Sequence, residues 1–444
     1  MTKHQQPIQI YKMLQELVVG QDEAKKKLSL ALISRARKEL ITNEDLRENV
    51  KRQNVMLIGK TGTGKTELSR SLSKISGSPF VKADATKFTE VGYVGSDVEN
   101  MVKELAEAGL AMQKKNLLKD QKLQQSIAAK VNKQIIVALC AKDDINLTDA
   151  VYEDMVKRLE AGEFNSSIIE VSVEVKKPDN VGSAPFDVSG LQGIISMLPL
   201  DSVGGSKKNS RKVKKLTVSE ARDILMNEEK DSISSEDCSA RALADVQKNG
   251  IIFIDEIDKL ISSHKGSSRG DVSREGVQRD LLSIIDGTTV QTKLGDVSTD
   301  NILFICAGAF ESAKPSDLLP ELQGRFPISA KLKPLSVDDL KDILVKPKYS
   351  LLKQQVALME TEGGKIEITD EAILEIAKVA NLLNTTYNNT GARRLQGVVE
   401  CVFEEVSFNG FKGKKEFSID KDYVVKVTKK LFEEDSRRED LYIL

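Results

Sequence analysis

Two groups of residues in this 444-residue chain have the types and spacing for phosphate chemistry. The first is Gly59-Lys60-Thr61-Gly62-Thr63-Gly64-Lys65-Thr66, which fits Gly-x4-Gly-Lys-Thr, the P-loop pattern. Its glycines let the backbone curl so that successive N–H groups converge on one phosphate chain, with the positive end of the following helix behind them. Lys65 is placed to reach the β- and γ-phosphates, and the Thr66 hydroxyl to ligate Mg²⁺. The second group is Asp255-Glu256, closing the apolar run Ile251-Ile252-Phe253-Ile254. A strand buried on both faces would carry these acids to its C-terminal edge, beside the P-loop. There Asp255 would hold the Mg²⁺ shell, and Glu256 would orient and deprotonate the attacking water.

The elements that must position these groups are readable around them. Val55-Met56-Leu57-Ile58 ahead of the P-loop and Glu67-Leu68-Ser69-Arg70-Ser71-Leu72 after it give strand, loop and helix. Pro79 to Thr86 reads as a second strand, and Asn301 to Ala307 as a further one. Val98, Met101, Val102 and Leu105 share one face of a helix. Pro327 ends a helix and opens a last strand through Ile328, Ala330 and Leu332. Residues 8–40 read as one or two helices, Asp22 capping a stripe of Ala24, Leu28, Ala31 and Leu32. Val18 and Val19 just ahead of it suit either core or the wall of an adenine pocket.

Lys65 and Asp255 are 190 residues apart, whereas two βα units need about 60. An insertion over about 110–240 is therefore expected. It reads as polar helices, a short alternating strand at Ile168 to Val175, and a Gly/Ser/Pro-rich stretch at 178–210 expected to be loop. The cluster Arg211-Lys212-Val213-Lys214-Lys215 follows and reads as a solvated charge run rather than a nucleic-acid contact. From Ser336 onward the chain is mostly helical, Ser336 and Asp339 forming a capping box. Lys365 to Ile368 and Glu416 to Ile419 alternate and are expected to pair as a hairpin-like patch.

The composition excludes several classes. Charged residues make up 30% and the net charge is −1, so no global basic field calls for nucleic acid. Cys140, Cys238, Cys306 and Cys401 lack C-x-x-C spacing, which argues against a zinc site or disulfide framework and for a reducing compartment. Only His4 and His264 are present, and there is no H-E-x-x-H, so zinc-protease and Ser-His-Asp chemistry are not expected. With no bilayer-length apolar run and no signal segment, a soluble cytoplasmic protein is expected.

Taken in order, P-loop, Asp-Glu strand, Gly324-Arg325-Phe326-Pro327 and Gly391-Ala392-Arg393 resemble an AAA+ ATPase. Val19-Gly20-Gln21, Phe88 to Gly95, Pro315 to Leu318, Glu321 to Arg325 and Gly391 to Leu395, with the long insertion, narrow that resemblance to the HslU (ClpY) family of unfoldase ATPases. It covers nearly the whole chain and is weakest over the insertion.

The resemblance implies an α/β fold with a parallel sheet. Its large P-loop domain would comprise 1–109 and 241–332, its inserted, mainly helical I domain 110–240, and its small C-terminal domain 333–444. It implies a homohexameric ring binding ATP and Mg²⁺ at subunit interfaces. Val18, Val19, Gly62, Thr63, Gly64, Lys65, Thr66 and Glu67 would hold the nucleotide with Asp255, Thr66 and Asp255 the metal. Arg325 would be the arginine finger offered to the neighbour's γ-phosphate, Glu321 would lie near it, and Arg393 would be the sensor-2 arginine. Gly92-Tyr93-Val94-Gly95 would be a pore loop gripping polypeptide substrates. Leu441-Tyr442-Ile443-Leu444 would dock on a separate HslV-like threonine peptidase ring. Cys306-Ala307-Gly308-Ala309 offers no polar side chain at the family's sensor-1 position.

Two alternatives compete with that reading. A ClpX-type partner of a serine peptidase calls for an N-terminal zinc module, but residues 1–50 contain no cysteine. A nucleic-acid-acting AAA+ ATPase calls for a basic domain that the balanced charge does not supply.

Overall fold

The computed structural model describes residues 6–88, 97–117, 121–142, 149–174, 211–232, 237–261, 269–387, 389–409 and 416–442. The proposed pore loop at 92–95, the Gly/Ser/Pro-rich stretch at 178–210, His4, His264, Ile443 and Leu444 lie outside those residues. The chain forms two compact units, Met1–Met112 with Ala240–Leu444, and Gln113–Ser239.

The first unit is built on a five-stranded sheet. Its order is Phe80–Asp84, Ile251–Asp255, Leu303–Gly308, Val55–Ile58 and Ile328–Lys331, with every neighbouring pair parallel. Each strand is four to six residues of mainly apolar side chains, the composition expected when both faces are covered. Alternation divides those side chains between two cores. Met56, Ile252, Ile254, Phe304 and Cys306 pack on one face with Met101, Val102, Leu105, Leu281 and Ile285. Val55, Leu57, Ile251, Phe253 and Ile305 pack on the other with Leu14, Leu28, Leu32, Leu68 and Leu72. Helices Asn100–Leu117 and Arg269–Asp286 therefore cover one face, and Pro7–Leu17, Asp22–Lys38 and Lys65–Ser76 the other. This is a three-layer α/β fold.

Arg35 ties helix Asp22–Lys38 to the sheet, donating to the Gly250 carbonyl at 2.6 Å and the Asn249 carbonyl at 3.1 Å. Burial pulls its pKa down to about 10, against the opposing pull of Asp245 and Glu39. Asp22 does not cap this helix. Gln21 does, with φ +58°, and Asp22 is the first helical residue, accepting from the Tyr11 hydroxyl at 3.1 Å.

Beyond the sheet the same unit has a third, mainly helical core made by Leu340, Leu344, Ile373, Ile376, Ala380, Leu395 and Val402 with their neighbours. The capping box forms: Asp339 N–H donates to Ser336 Oγ at 3.1 Å, and Ser336 N–H to Asp339 Oδ2 at 2.9 Å. The Lys365–Ile368 and Glu416–Ile419 strands pair in parallel, not as a hairpin. Helices Asp370–Thr386 and Arg393–Asn409 lie between them in the chain, and a crossover of that length returns the second strand in the same direction.

In the second unit, Ile168–Glu174 pairs antiparallel with Arg211–Thr217. The basic cluster thus forms a strand, and its Lys214 and Lys215 stay exposed as a solvated charge run. Its Lys215 sits opposite Glu170 at 3.2 Å, so cross-strand pairing accommodates the charge. Helices Gln121–Lys142, Asp149–Glu160 and Val218–Ser232 bury Val131, Ile135, Leu159, Ala221 and Leu225 against Ile169 and Val171. Among the described residues, no helix is long and apolar enough to cross a membrane.

Candidate functional site

Three adjacent strands end at the site. Val55–Ile58 delivers the P-loop, Ile251–Asp255 delivers the acid pair, and Leu303–Gly308 runs between them. Between these strand ends the chain order reverses, which is where open parallel sheets hold ligands. Gly62 and Gly64 take φ of +75° and +96°, conformations that L side chains rarely adopt. Gly64 is the N-cap of helix Lys65–Ser76, so the helix starts at the lysine and presents its free N–H groups to the loop. Thr63, 4% exposed, braces the turn by donating from Oγ1 to the Lys60 carbonyl at 2.8 Å.

Lys65 is 9% exposed and its ammonium donates to the carbonyls of Gly59 and of Lys60, the latter at 3.0 Å. Burial lowers its pKa and nearby Asp255 counters that shift. Thr66 Oγ1 donates to Asp255 Oδ2 at 3.3 Å, joining the two sequence motifs. Lys82, across the strand pair, places its ammonium 2.8 Å from the same Asp255 oxygen. Glu256 is exposed and has φ +56°, a left-handed backbone conformation that ends the strand. Its N–H donates to Asp255 Oδ1 at 3.1 Å.

Contacts from distant segments complete the loop's surroundings. The Ala392 N–H donates to the Gly62 carbonyl at 3.0 Å, and a Cβ on Gly62 would stand 1.9 Å from the Thr390 oxygen. Gly62 therefore has a second reason to be glycine: another stretch of backbone lies against it. Asn384, 7% exposed, fixes that stretch by donating to the Gly391 carbonyl at 3.0 Å and accepting from the Thr390 N–H at 3.1 Å. Arg393 begins the next helix and is exposed. Gln21 donates to the Lys333 carbonyl at 2.8 Å and to the P-loop's Thr63 carbonyl at 3.4 Å. Where strand Leu303–Gly308 ends without a polar side chain, Asp258 accepts from the Ala309 N–H at 3.2 Å and the Phe310 N–H at 3.3 Å. Sequence reading missed Gln21, Asp258 and Asn384 as neighbours of the site. The Gln21 side chain was discoverable only through the Val19-Gly20-Gln21 resemblance, and Asp258 only as an acid three residues past Asp255.

The remaining sequence candidates are placed as follows. Val18 is buried in the sheet's core and Val19 is half-buried beside it. Glu67, in the first turn after the P-loop, accepts from Ser71 Oγ at 3.3 Å. Glu321 is exposed in the first turn of helix Pro320–Gly324. Arg325 is the C-cap of that helix and lies elsewhere: Asn54 Nδ2 donates to its carbonyl at 3.0 Å, at the opposite end of the P-loop strand from the phosphate loop. Leu441 and Tyr442 are the last residues of helix Lys421–Tyr442.

Known proteins match this chain in sequence. Residues 55–118 match the family model described as ATPase family associated with various cellular activities (AAA), and residues 170–329 match the AAA domain (Cdc48 subfamily). The chain is 44% identical over 423 residues to the ATP-dependent protease ATPase subunit HslU of Bradyrhizobium diazoefficiens, covering 95% of each chain. It is 46% identical over 405 residues to the HslU of Rhodopseudomonas palustris, covering 91% of each, and 44% identical over 409 residues to that of Nitrobacter hamburgensis, covering 91% of this chain and 92% of the relative. With P-loop, acid pair and parallel sheet all in place and relatives aligned over nearly its full length, the chain is an ATPase and belongs to the HslU family.

Proposed function

We propose that this chain is one subunit of a homohexameric cytoplasmic ring that hydrolyses ATP to unfold proteins and pass them to a separate threonine peptidase. The observation that carries the ring is the position of Arg325. Its carbonyl is pinned by Asn54, just before the first residue of the P-loop strand, while Gly59 follows the last. Five Cα-to-Cα steps of extended chain separate those points by roughly 16 Å. An arginine there cannot serve its own P-loop, but it suits the γ-phosphate bound by a neighbour.

Within one subunit, the Gly62 and Gly64 conformations aim backbone N–H groups at the phosphates and Lys65 supplies the positive charge. ATP would have to draw the Lys65 ammonium from the Gly59 and Lys60 carbonyls, an exchange that its triphosphate charge favours. The fit of Thr66 and Asp255 to Mg²⁺ is good: a hydroxyl and a carboxylate are hard oxygen donors, already 3.3 Å apart. Magnesium bound there would neutralise charge building on the phosphates. Glu256, exposed at the strand end, orients the attacking water and takes its proton. Arg393, one residue beyond the backbone that touches Gly62, reports nucleotide to the helical segment that follows.

On this reading 1–109 with 241–332 is the large domain, 110–240 the I domain and 333–444 the small domain. Tyr93 between its glycines grips the polypeptide, and Leu441 to Leu444 dock on the peptidase. The decisive test of the ring mixes two inactive proteins, Arg325→Ala and Glu256→Gln. A trans-acting finger predicts partial recovery of ATP hydrolysis in the mixture, because some interfaces then pair an intact finger with an intact Glu256. Mixed hexamers with no recovery would overturn the assignment.

A further inference from the structure

Asp286 lies outside the P-loop, the acid pair and the resemblance. It is the last residue of helix Arg269–Asp286, where an acid is repelled by the unpaired C-terminal carbonyls. Helix stability gives no reason for a carboxylate there. Its partner does: Asp286 Oδ2 accepts from Arg325 Nη2 at 2.9 Å, and Oδ1 accepts from Arg325 Nε.

The choice of nitrogens matters. A carboxylate gripping Nε and Nη2 holds the guanidinium along one side and fixes its plane. Both N–H groups on Nη1 stay outside the grip, and so does one on Nη2. Those are the donors an incoming oxyanion needs. A carboxylate straddling Nη1 and Nη2 would instead have masked the end of the side chain. Arg325 remains 54% exposed at its side chain and lines an open cleft of about 960 Å³.

A second layer fixes Asp286 itself. Arg52 donates to the carbonyl of Ile285, one residue earlier, and places Nη2 2.6 Å from Asp300 Oδ1. Gly287 follows with φ +107°, and a Cβ there would meet Asp300 at 2.2 Å and Arg52 at 2.4 Å. The glycine leaves room for the Arg52–Asp300 pair to clamp the helix end. Asn54, 2% exposed, holds the Arg325 backbone from the other side. Arg325 is therefore held at both its carbonyl and its guanidinium.

We propose that Asp286 is a positioning residue for Arg325: its side-on grip presents the free guanidinium edge to the nucleotide of the adjoining subunit. This inference rests on Arg325 acting on a neighbour's ATP, as proposed above.

The test compares Asp286→Asn, Asp286→Glu and Arg325→Ala in the full-length protein. Steady-state ATP hydrolysis, fluorescent-ATP binding, light-scattering mass and melting temperature are measured for each. Asp286→Asn should lower kcat about 10-fold to 100-fold, the scale for a slightly misplaced catalytic group. Its nucleotide Kd in isolated subunits, assembly mass and melting temperature should stay unchanged, and Asp286→Glu should recover much of the lost kcat. A merely structural carboxylate would instead lower mass or melting temperature together with kcat. Asp286→Asn with a kcat within twofold of the unsubstituted protein, or with kcat falling only as assembly fails, overturns the proposal. Arg325→Ala separates the two layers. If it hydrolyses ATP normally, the finger reading fails and this inference with it. If it is inactive while Asp286→Asn is normal, only the positioning role is lost.

Discussion

Two of the cations assigned to ATP turnover, Lys65 and Arg325, are held in opposite ways. Lys65 is 9% exposed and sits in a loop defined by backbone: two glycines at positive φ, a helix N-terminus and carbonyls that accept its ammonium. Arg325 is half-exposed and held through side chains, with Asp286 on its guanidinium and Asn54 on its carbonyl. Backbone placement is rigid and local, because chain conformation alone creates it. Side-chain placement is adjustable and depends on three or four distant segments. A group that must meet a neighbour's phosphate benefits from that adjustability, while one that anchors its own subunit's phosphate does not.

The largest expected effect comes from breaking the adjustable half. Arg325→Ala should lower kcat by about 10³-fold or more, the range typical of an arginine supplied in trans. Glu256→Gln should lower it by about 10²- to 10⁴-fold, the usual contribution of a positioned base. The two should differ in nucleotide dependence. Glu256→Gln keeps ATP bound without turnover, and its isolated subunits show the affinity of the unsubstituted chain. Arg325→Ala should match that affinity only in isolated subunits and bind ATP more weakly in assemblies. Equal affinity in assembled Arg325→Ala would erase the distinction between the halves.

How far the sequence reaches follows the same division. The P-loop strand, its helix and Ile251–Asp255 were readable because an apolar run ending in a motif is local information. The parallel direction also follows, since buried strands separated by helices have few other arrangements, whereas the strand order came only with the structure. Arg52, Asp286 and Asp300 come from three separate segments, and no period or spacing links them. The strand Arg211–Thr217 stayed hidden for another reason. Its side chains are mostly cationic, so the run reads as solvated loop, and only its pairing with Ile168–Glu174 identifies it as a strand. The Lys365–Ile368 and Glu416–Ile419 strands were found, but their direction was not, because alternation says nothing about orientation.

The backbone-held half has its own weak point, and Gly62 exposes it. Gly62→Ala places a Cβ 1.9 Å from the Thr390 oxygen and forces φ +75° on an L residue. Gly64→Ala meets only the conformational problem, since nothing lies within 4 Å of its would-be Cβ. Strained backbone of this kind costs on the order of 1–3 kcal/mol. Gly62→Ala should therefore melt at a lower temperature than Gly64→Ala when both are scanned without nucleotide. Equal melting temperatures would mean that the Thr390 backbone does not bear on the loop.

Asn384 supplies the smallest and most discriminating perturbation. Its side chain makes two hydrogen bonds to the backbone at Thr390 and Gly391, which in turn reaches Gly62 through the Ala392 N–H. Asn384→Ala removes both bonds from a site 7% exposed, leaving a buried donor and acceptor unpaired at a cost of about 1–3 kcal/mol. If the P-loop owes its shape to its own backbone alone, that loss should appear in the melting temperature and leave ATP affinity unchanged. If the 390–392 backbone is part of the nucleotide cradle, affinity should weaken several-fold as well. The contact at Gly62 favours the second outcome, because the carbonyl it engages belongs to the loop that must turn its N–H groups toward phosphate. Measuring fluorescent-ATP Kd at a temperature well below the melting point of Asn384→Ala separates the two. Unchanged affinity there would confine the rigid half of the site to residues 59–66.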